Sequence, residues 1–369
     1  MNFQARNLSL DVFRGLTICF MIIVNTAGSW SCVYWPLDHA KWHGFTPTDL
    51  VFPSFLFAVG SSIFFSKKSW EHMNASDVYW KIIKRGAIIF LIGYLMYWFP
   101  FVKHSDAGLV FKPFHNTRVM GVLQRIGICY IIGSFILLKF SFRAILAMGI
   151  GLLLLYWGLL AWGGDFEMTT NLGHKIDLAL FGDSHLYHGE GVAFDPEGLL
   201  STMPSIANVL GGYLVTSYLI NGGITKDKLM KLAFTGLGFL ILSWIWNMVF
   251  PINKKIWTSS FVVHTVGWDM IILSILSYLV DILNVRKGVS FFYIAGRNPL
   301  FLYLLHELIA ILLLFFRTAE GKSYYSTIFE TVYKPLGCHL GSFLFSVTFM
   351  LVCWTAGWYL NKRGWYFKI

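Results

Sequence analysis

Ten stretches of this chain are apolar for about as long as a lipid bilayer is thick. They run near residues 10–29, 49–66, 84–102, 118–139, 142–162, 198–220, 229–251, 256–282, 290–316 and 339–361. A helix needs roughly 20 apolar residues to cross the hydrocarbon core. It also satisfies its own backbone hydrogen bonds, which lipid cannot do for it. Membrane strands would show short runs of strict alternation, and these runs do not alternate. The expected fold is therefore all-α, a polytopic integral membrane helix bundle with about ten transmembrane helices. Charged residues make up 13% of the chain, against about a quarter in a soluble domain, so lipid rather than water must cover most of the surface. That composition excludes disorder, a coiled coil and a disulfide-stapled secreted domain. No soluble domain can be cut out, and residues 1–369 read as one transmembrane domain.

Charge sets the expected orientation. With ten spans both termini lie on one side. Seventeen Lys and Arg fall on that side, ten on the other, and Arg125 and Arg297 fall within spans. Acidic residues run the other way, five with the termini and twelve opposite. The positive-inside rule then puts both termini in the cytoplasm. The net charge of +10 is a topology signal, without the clustered basic face of a nucleic-acid reader, and no nucleic-acid partner is expected. The link at 67–83 is expected to hold an interfacial helix, with Trp70, Tyr79 and Trp80 at headgroup level. The first apolar run follows Arg6, Asp11 and Arg14 without a small-residue cleavage site, so it is expected to stay as the first span. Of five cysteines only Cys32 and Cys338 fall near the outer face. Sequence does not fix their connectivity, and the expectation is against a bridge. Both sequons, at Asn7 and Asn74, fall on the cytoplasmic side, which favours a bacterial inner membrane over a glycosylated compartment.

Ionisable groups inside spans are costly and are functional hypotheses by default. Arg125 lies in GVLQRIG, read as mid-span or close to it. Arg297 and Asn298 lie in AGRNPLFLYLLHE, where Pro299 interrupts the helix and His306 and Glu307 follow. Asp269 sits in VGWDMII. The plain structural reading is internal ion pairing, such as Arg125 with Asp269. The alternative is a wet cavity for an anionic ligand, since a guanidinium fork matches phosphate.

The densest segment is the first loop with its flanking helices. Asp11 and Arg14 share a face of the first helix, and Asn25 lies about three turns further along. His39 follows among Trp35, Trp42 and His43, and Asp49 opens the second span after the cap Thr46-Pro47-Thr48. A histidine near an acid at the membrane–water boundary can act as general base or acyl acceptor. A histidine simply packed among aromatics fits the same residues, and the chemistry does not choose between His39 and His43. The outer loop 163–197 holds Asp165, Glu167, His174, Asp177, Asp183, His185, His188 and Glu190. Its spacings match no zinc pattern; no metal is expected, and the loop reads as solvated.

Here the sequence resembles a known family. SLDVFRG, Val24-Asn25, HAKWHGFTPTDLVFP, GVLQRIG, FDPEGLLSTMPSI, PINKKIWTSSFV, GRNPLFLYLLHE and the terminal KRGWYFKI are similar, in order, to motifs of the heparan-α-glucosaminide N-acetyltransferase family, a group of transmembrane acyltransferases. The resemblance implies an acetyl group taken from cytosolic acetyl-CoA and delivered to an amino sugar or glycan on the far side of the membrane. It implies His39 as the active-site histidine, Asn25 as the asparagine facing it, and Arg14 and Arg125 near the CoA phosphates. Asp11, Asp49, Gln124, Arg297, Asn298 and His306 fall within shared motifs with less defined roles. Family members can be dimers, which leaves a homodimer open. The chain is expected to lack the leading lumenal domain of the lysosomal member. A second reading from another class remains: a solute transporter or channel using the same polar cavity, since broken helices and embedded arginines occur there too.

Overall fold

The computed structural model describes residues 7–105 and 108–367. Arg6, ahead of the first span, and Lys368-Ile369 of the terminal motif lie outside them. Thirteen α-helices are seen among the described residues: α1 Leu8–Asn25, α2 Val51–Trp70, α3 Ala75–Trp98, α4 Val122–Lys139, α5 Phe142–Gly163, α6 Leu172–Phe181, α7 Thr202–Ile220, α8 Lys226–Asn247, α9 Ser259–Ser277, α10 Val289–Arg297, α11 Pro299–Phe315, α12 Tyr324–Ile328 and α13 Cys338–Arg363. One antiparallel hairpin, β1 Val102–Ser105 with β2 Gly108–Phe111, joins α3 to α4.

The all-α membrane bundle is what the structure contains. Among the described residues eight helices are long and apolar enough to cross a membrane, and nine if the pair α10–α11, bent by 81°, counts as one span. The bend falls at Asn298-Pro299, where proline opens the second helix of the pair and cannot donate a hydrogen bond to the first. The remaining apolar run becomes the latter part of α3, which is 24 residues long but keeps Lys81, Lys84 and Arg85. The expected interfacial helix at 67–83 does not form as a separate element. α2 continues through Trp70 and α3 starts at Ala75, with Asp77 in the first turn, where a carboxylate favours the helix start.

Small residues let the spans touch backbone to backbone, as expected where lipid gives no hydrophobic drive between helices. A Cβ on Gly15 would lie 1.7 Å from the Phe292 carbonyl oxygen, and one on Gly296 2.0 Å from that of Asp11. α1 and α10 therefore meet beside Arg14 and Arg297. Gly60 and Gly212 do the same for α2 and α7, holding the helix below His39 against the one that follows the 195–201 loop.

The connections gather at two ends. Opposite the termini, Gly44 N–H donates to the Ile252 carbonyl (2.8 Å), Val119 N–H to that of His185 (3.2 Å), Trp42 Nε1–H to that of Phe166 (3.1 Å), and the Tyr325 hydroxyl to that of Ala27 (2.8 Å). At the termini, Asn298 Nδ2–H donates to the Trp365 carbonyl (3.1 Å). The expectation against a disulfide is overturned: Cys32 and Cys338, 306 positions apart in the sequence, are bridged, with Cα atoms 5.4 Å apart. Sequence could not show this because the pairing depends on where α13 packs. Ser342 and Ser346 of that helix bond the backbone of Ser29 and Thr26 just past α1.

Gly296→Val is expected to cost about 1–3 kcal/mol or more through overpacking at the α1–α10 crossing. It should be read as a lower Tm of the purified protein in detergent. An unchanged Tm would mean the helices do not cross there.

Candidate active site

The site begins with a local capping arrangement. Thr46 precedes a short 3₁₀ turn, Pro47–Leu50, that leads into α2. Asp49 is the third residue of that turn, and its Oδ2 accepts N–H bonds from Thr46 (3.0 Å) and Ala40 (3.1 Å). This reciprocal geometry is the capping box. It fixes Asp49, 1% exposed, and leaves Oδ1 facing His39. A carboxylate only accepts, so His39 carries its proton on Nδ1, which donates to Asp49 Oδ1 at 2.7 Å. Nε2 is then the basic nitrogen. The loop around His39 is pinned as well: Thr46 Oγ1 donates to the Asp38 carbonyl (2.6 Å) and Thr48 Oγ1 to that of Pro36 (3.0 Å).

A third group completes the cluster. Lys254 Nζ lies 3.1 Å from His39 Nδ1, 3.2 Å from Nε2 and 3.8 Å from Asp49 Oδ1. It comes from the α8–α9 connection, which buried Asn253 ties into shape. Asn253 Oδ1 accepts from Ile256 N–H (3.0 Å), and its backbone N–H donates to Thr258 Oγ1 (3.0 Å). His43 Nδ1 lies 3.3 Å from the Asn253 amide instead, and its ring packs against Trp42. Geometry thus separates two histidines that the sequence left equal.

The surrounding loops cover much of His39, although 37% of its side chain remains exposed. Burial pushes the imidazole below its ordinary value and Lys254 pushes the same way, while Asp49 and Asp38 pull back only in part. His39 is therefore an uncharged base at neutral pH. In the unfolded chain it would take a proton near pH 6.5, so its contribution favours folding less as pH falls below that value.

The other expected residues divide between the two ends. Arg125 is not mid-span. It lies in the first turn of α4, at the His39 end, because the helix starts only at Val122. It is fully buried, donates to the Pro196 (3.1 Å) and Gly198 (3.2 Å) carbonyls and to Ser201 Oγ, and lies 4.8 Å from the Trp257 ring. It does not pair with Asp269, whose Oδ1 accepts from Ser54 Oγ at 2.5 Å. Gln124 is fully buried, and neither amide atom has a hydrogen bond among the described residues. It lines a cavity of about 310 Å³ with Tyr97, Lys112, Tyr303 and Glu307. Asn25 closes α1 with an exposed side chain that bonds neither His39 nor Asp49.

At the end near the termini, Arg14 pairs with buried Asp11 and donates to Ser62 Oγ (3.3 Å). Arg297 lies across the glycine crossing, 4.0 Å from the Tyr366 ring, and donates to the Tyr293 hydroxyl (2.7 Å). Asn298 is buried and holds the C-terminal tail, accepting from Phe367 N–H (3.1 Å). His306 belongs to neither end: it is buried midway along α11, with Nδ1 3.0 Å from the Tyr303 carbonyl.

Sequence reading missed two groups. Lys254 stood in PINKKIWTSSFV, but nothing in that motif tells which lysine turns inward. Arg118 binds Asp195 through Nε (2.9 Å) and Nη2 (2.6 Å) and Glu197 through Nη2 (2.5 Å), closing the loop before α7. The 163–197 loop is less solvated than expected, since Asn171 caps α6 and buried Asp177 accepts from Leu199 N–H at 2.9 Å. Among the described residues no three His, Cys, Asp or Glu side chains gather as a metal site.

Histidine-selective NMR of the detergent-solubilised protein should give a His39 midpoint below about 6.5, and Asp49→Asn should shift it further down by removing the carboxylate. A midpoint at or above the ordinary value would mean that the ring is held as a cation.

Residues 6–177 match the family described as heparan-alpha-glucosaminide N-acetyltransferase, catalytic. Over 360 residues the chain is 31% identical to heparan-alpha-glucosaminide N-acetyltransferase of Homo sapiens, covering 81% of this chain and 52% of that protein. Against the Mus musculus protein of the same name it is 31% identical over 358 residues, covering 81% and 53%. The chain spans about half the length of these curated relatives. The matched family segment contains Arg14, Asn25, His39, Asp49 and Arg125, and the longer alignments extend the likeness to most of the chain. Over residues 6–177 the chain is similar to the heparan-α-glucosaminide N-acetyltransferase family, and over most of its own length to about half of the two mammalian proteins of that name.

Proposed function

We propose that this chain is a transmembrane acetyltransferase: it takes the acetyl group of acetyl-CoA and places it on the amine of an amino sugar or glycan at the opposite membrane face. The observation that carries this reading is the His39–Asp49 pair, an uncharged imidazole oriented by a buried carboxylate, with its ring partly open to solvent. A base so oriented can take the proton of an attacking amine. Asn25, exposed at the end of α1, is the donor we assign to the thioester carbonyl. A covalent acetyl-histidine would use the same nitrogen as nucleophile.

The donor fits the polar layout. Arg14 and Arg297 offer guanidinium groups for its anionic end. From Arg14 to its end at Asn25, α1 rises about 17 Å toward the loop of His39, a depth an extended donor can span. Gln124 and its cavity offer amide partners along the way. Arg125 braces the far end, binding the 196–201 segment and stacking near Trp257. The reading places the chain in a bacterial inner membrane with its termini in the cytoplasm, as a single domain and with no metal in the chemistry. Lipid surrounds it, and a homodimer is compatible with it.

One observation favours a second reading. The 81° break between α10 and α11 is the kind of interruption found in transporters, and a solute carrier would use the same cavity. Two measurements separate the readings. CoA or acetyl-CoA at about 100 times its Kd should stabilise the protein by about 2.7 kcal/mol, an effect lost in Arg14→Ala. Labelled acetyl-CoA should pass its acetyl group to glucosamine, with His39→Ala reducing the rate about 10²–10⁴-fold and the acid limb of the rate–pH profile falling below about 6.5. No donor-dependent stabilisation and no transfer, together with solute uptake into vesicles, would establish the carrier instead.

A further inference from the structure

The lysine at the His39 ring has a chemical use that orienting the histidine does not require. Amine attack on a thioester forms a C–N bond and breaks a C–S bond. One proton leaves the amine and one must reach the departing thiolate. His39 Nε2 can take the first. An alkyl thiolate departs more readily with the second, since at neutral pH the product is the thiol: even a cysteine thiol has a pKa of about 8.5.

From the 3.2 Å approach of Lys254 Nζ to His39 Nε2, we propose that Lys254 is the proton donor to the leaving sulfur and that His39 recharges it. This rests on the acetyltransferase reading above. The balance closes within the site. The amine proton passes to Nε2 as the C–N bond forms, the Lys254 ammonium protonates the thiolate as the C–S bond breaks, and the imidazolium returns its proton to Nζ. Products are the acetamide and the free thiol, with both side chains as they began.

Several features support the assignment. The backbone that carries the lysine is held on both sides: Ile252 N–H donates to Asn247 Oδ1 (2.7 Å), Thr258 N–H to the Asn253 carbonyl (3.1 Å), and Trp257 Nε1–H to Asn208 Oδ1 (3.1 Å). Its neighbour Lys255 turns away to Glu190 at 2.5 Å, which leaves Lys254 as the cation at the pair. The charged groups acting on it are Asp49 beside α2, Glu197 before α7 and Lys255 on its own connection. Those acting on His39 are Lys254, Asp49 and Asp38. Burial pushes the ammonium below its ordinary value, which suits a lysine that must give its proton up. An ammonium needed only as a fixed charge would gain nothing from that.

The test varies the leaving group. Acetyl transfer to glucosamine is measured from two small donors, the S-acetyl derivatives of N-acetylcysteamine, an alkyl thiol, and of thiophenol, whose thiolate departs without a proton. Lys254→Met should lose about 10²-fold or more on the alkyl donor and less than a tenth of that on the aryl donor. Lys254→Arg keeps the charge but holds its proton at neutral pH. It should show the same selective rescue, and it keeps the test open if the Met variant does not fold. Equal losses on both donors, in either variant, would overturn the relay and leave Lys254 as a positioning residue. If the wild type transfers acetyl from neither of these donors nor from acetyl-CoA, it is the transferase reading itself that falls.

Discussion

The carboxylate of Asp49 is the hinge on which the acceptor end depends. One oxygen closes a capping box with Thr46 and binds the Ala40 amide, and the other holds the His39 ring. The first task is local and would be met by any sequence with a carboxylate at that turn position. The second task comes with it: the capped geometry aims the free oxygen at a loop that folds back over the helix start. Helix initiation and histidine orientation are thus the same structural event. Removing the carboxylate would unsettle the entry to α2 and the histidine together.

Around this point the bundle is built to be rigid where chemistry is placed. The paired glycines bring α1 onto α10 and α2 onto α7 at backbone distance. The arginine pair near the termini therefore rides on helices in direct contact, and the His39 loop rides on another such pair. The fully buried guanidinium of Arg125 knits the 196–201 segment to Trp257. It works as a brace at the end opposite Arg14, although the two arginines look alike in sequence.

The class of fold was legible because it follows from length and apolarity alone, and lipid leaves few alternatives. The break at Pro299 was legible for the same reason, since a proline lacks the N–H that a continuous helix needs. Asp49 and His39 were legible as types of residue in a suggestive loop, but their pairing was not, because His43 lay four residues away with the same chemistry. What decided between them was a connection more than 200 residues further on. The disulfide was hidden for the same reason, its partners being neighbours only after the last helix packs on the first. The depth of Arg125 was misread because an apolar run does not say where in it the helix begins.

The two sides of the His39 cluster come from different halves of the chain. His39 and Asp49 lie within residues 6–177, while Lys254 enters from the turn before α9. A chain severed in the short link between α7 and α8 would yield two pieces, each with several membrane-spanning helices of its own. The first would hold an oriented imidazole with no cation beside it, and the second a lysine with nothing to face. The cluster is therefore a property of the assembled pair, and bringing the two pieces together in one bilayer would rebuild it only where the helices dock in their native arrangement.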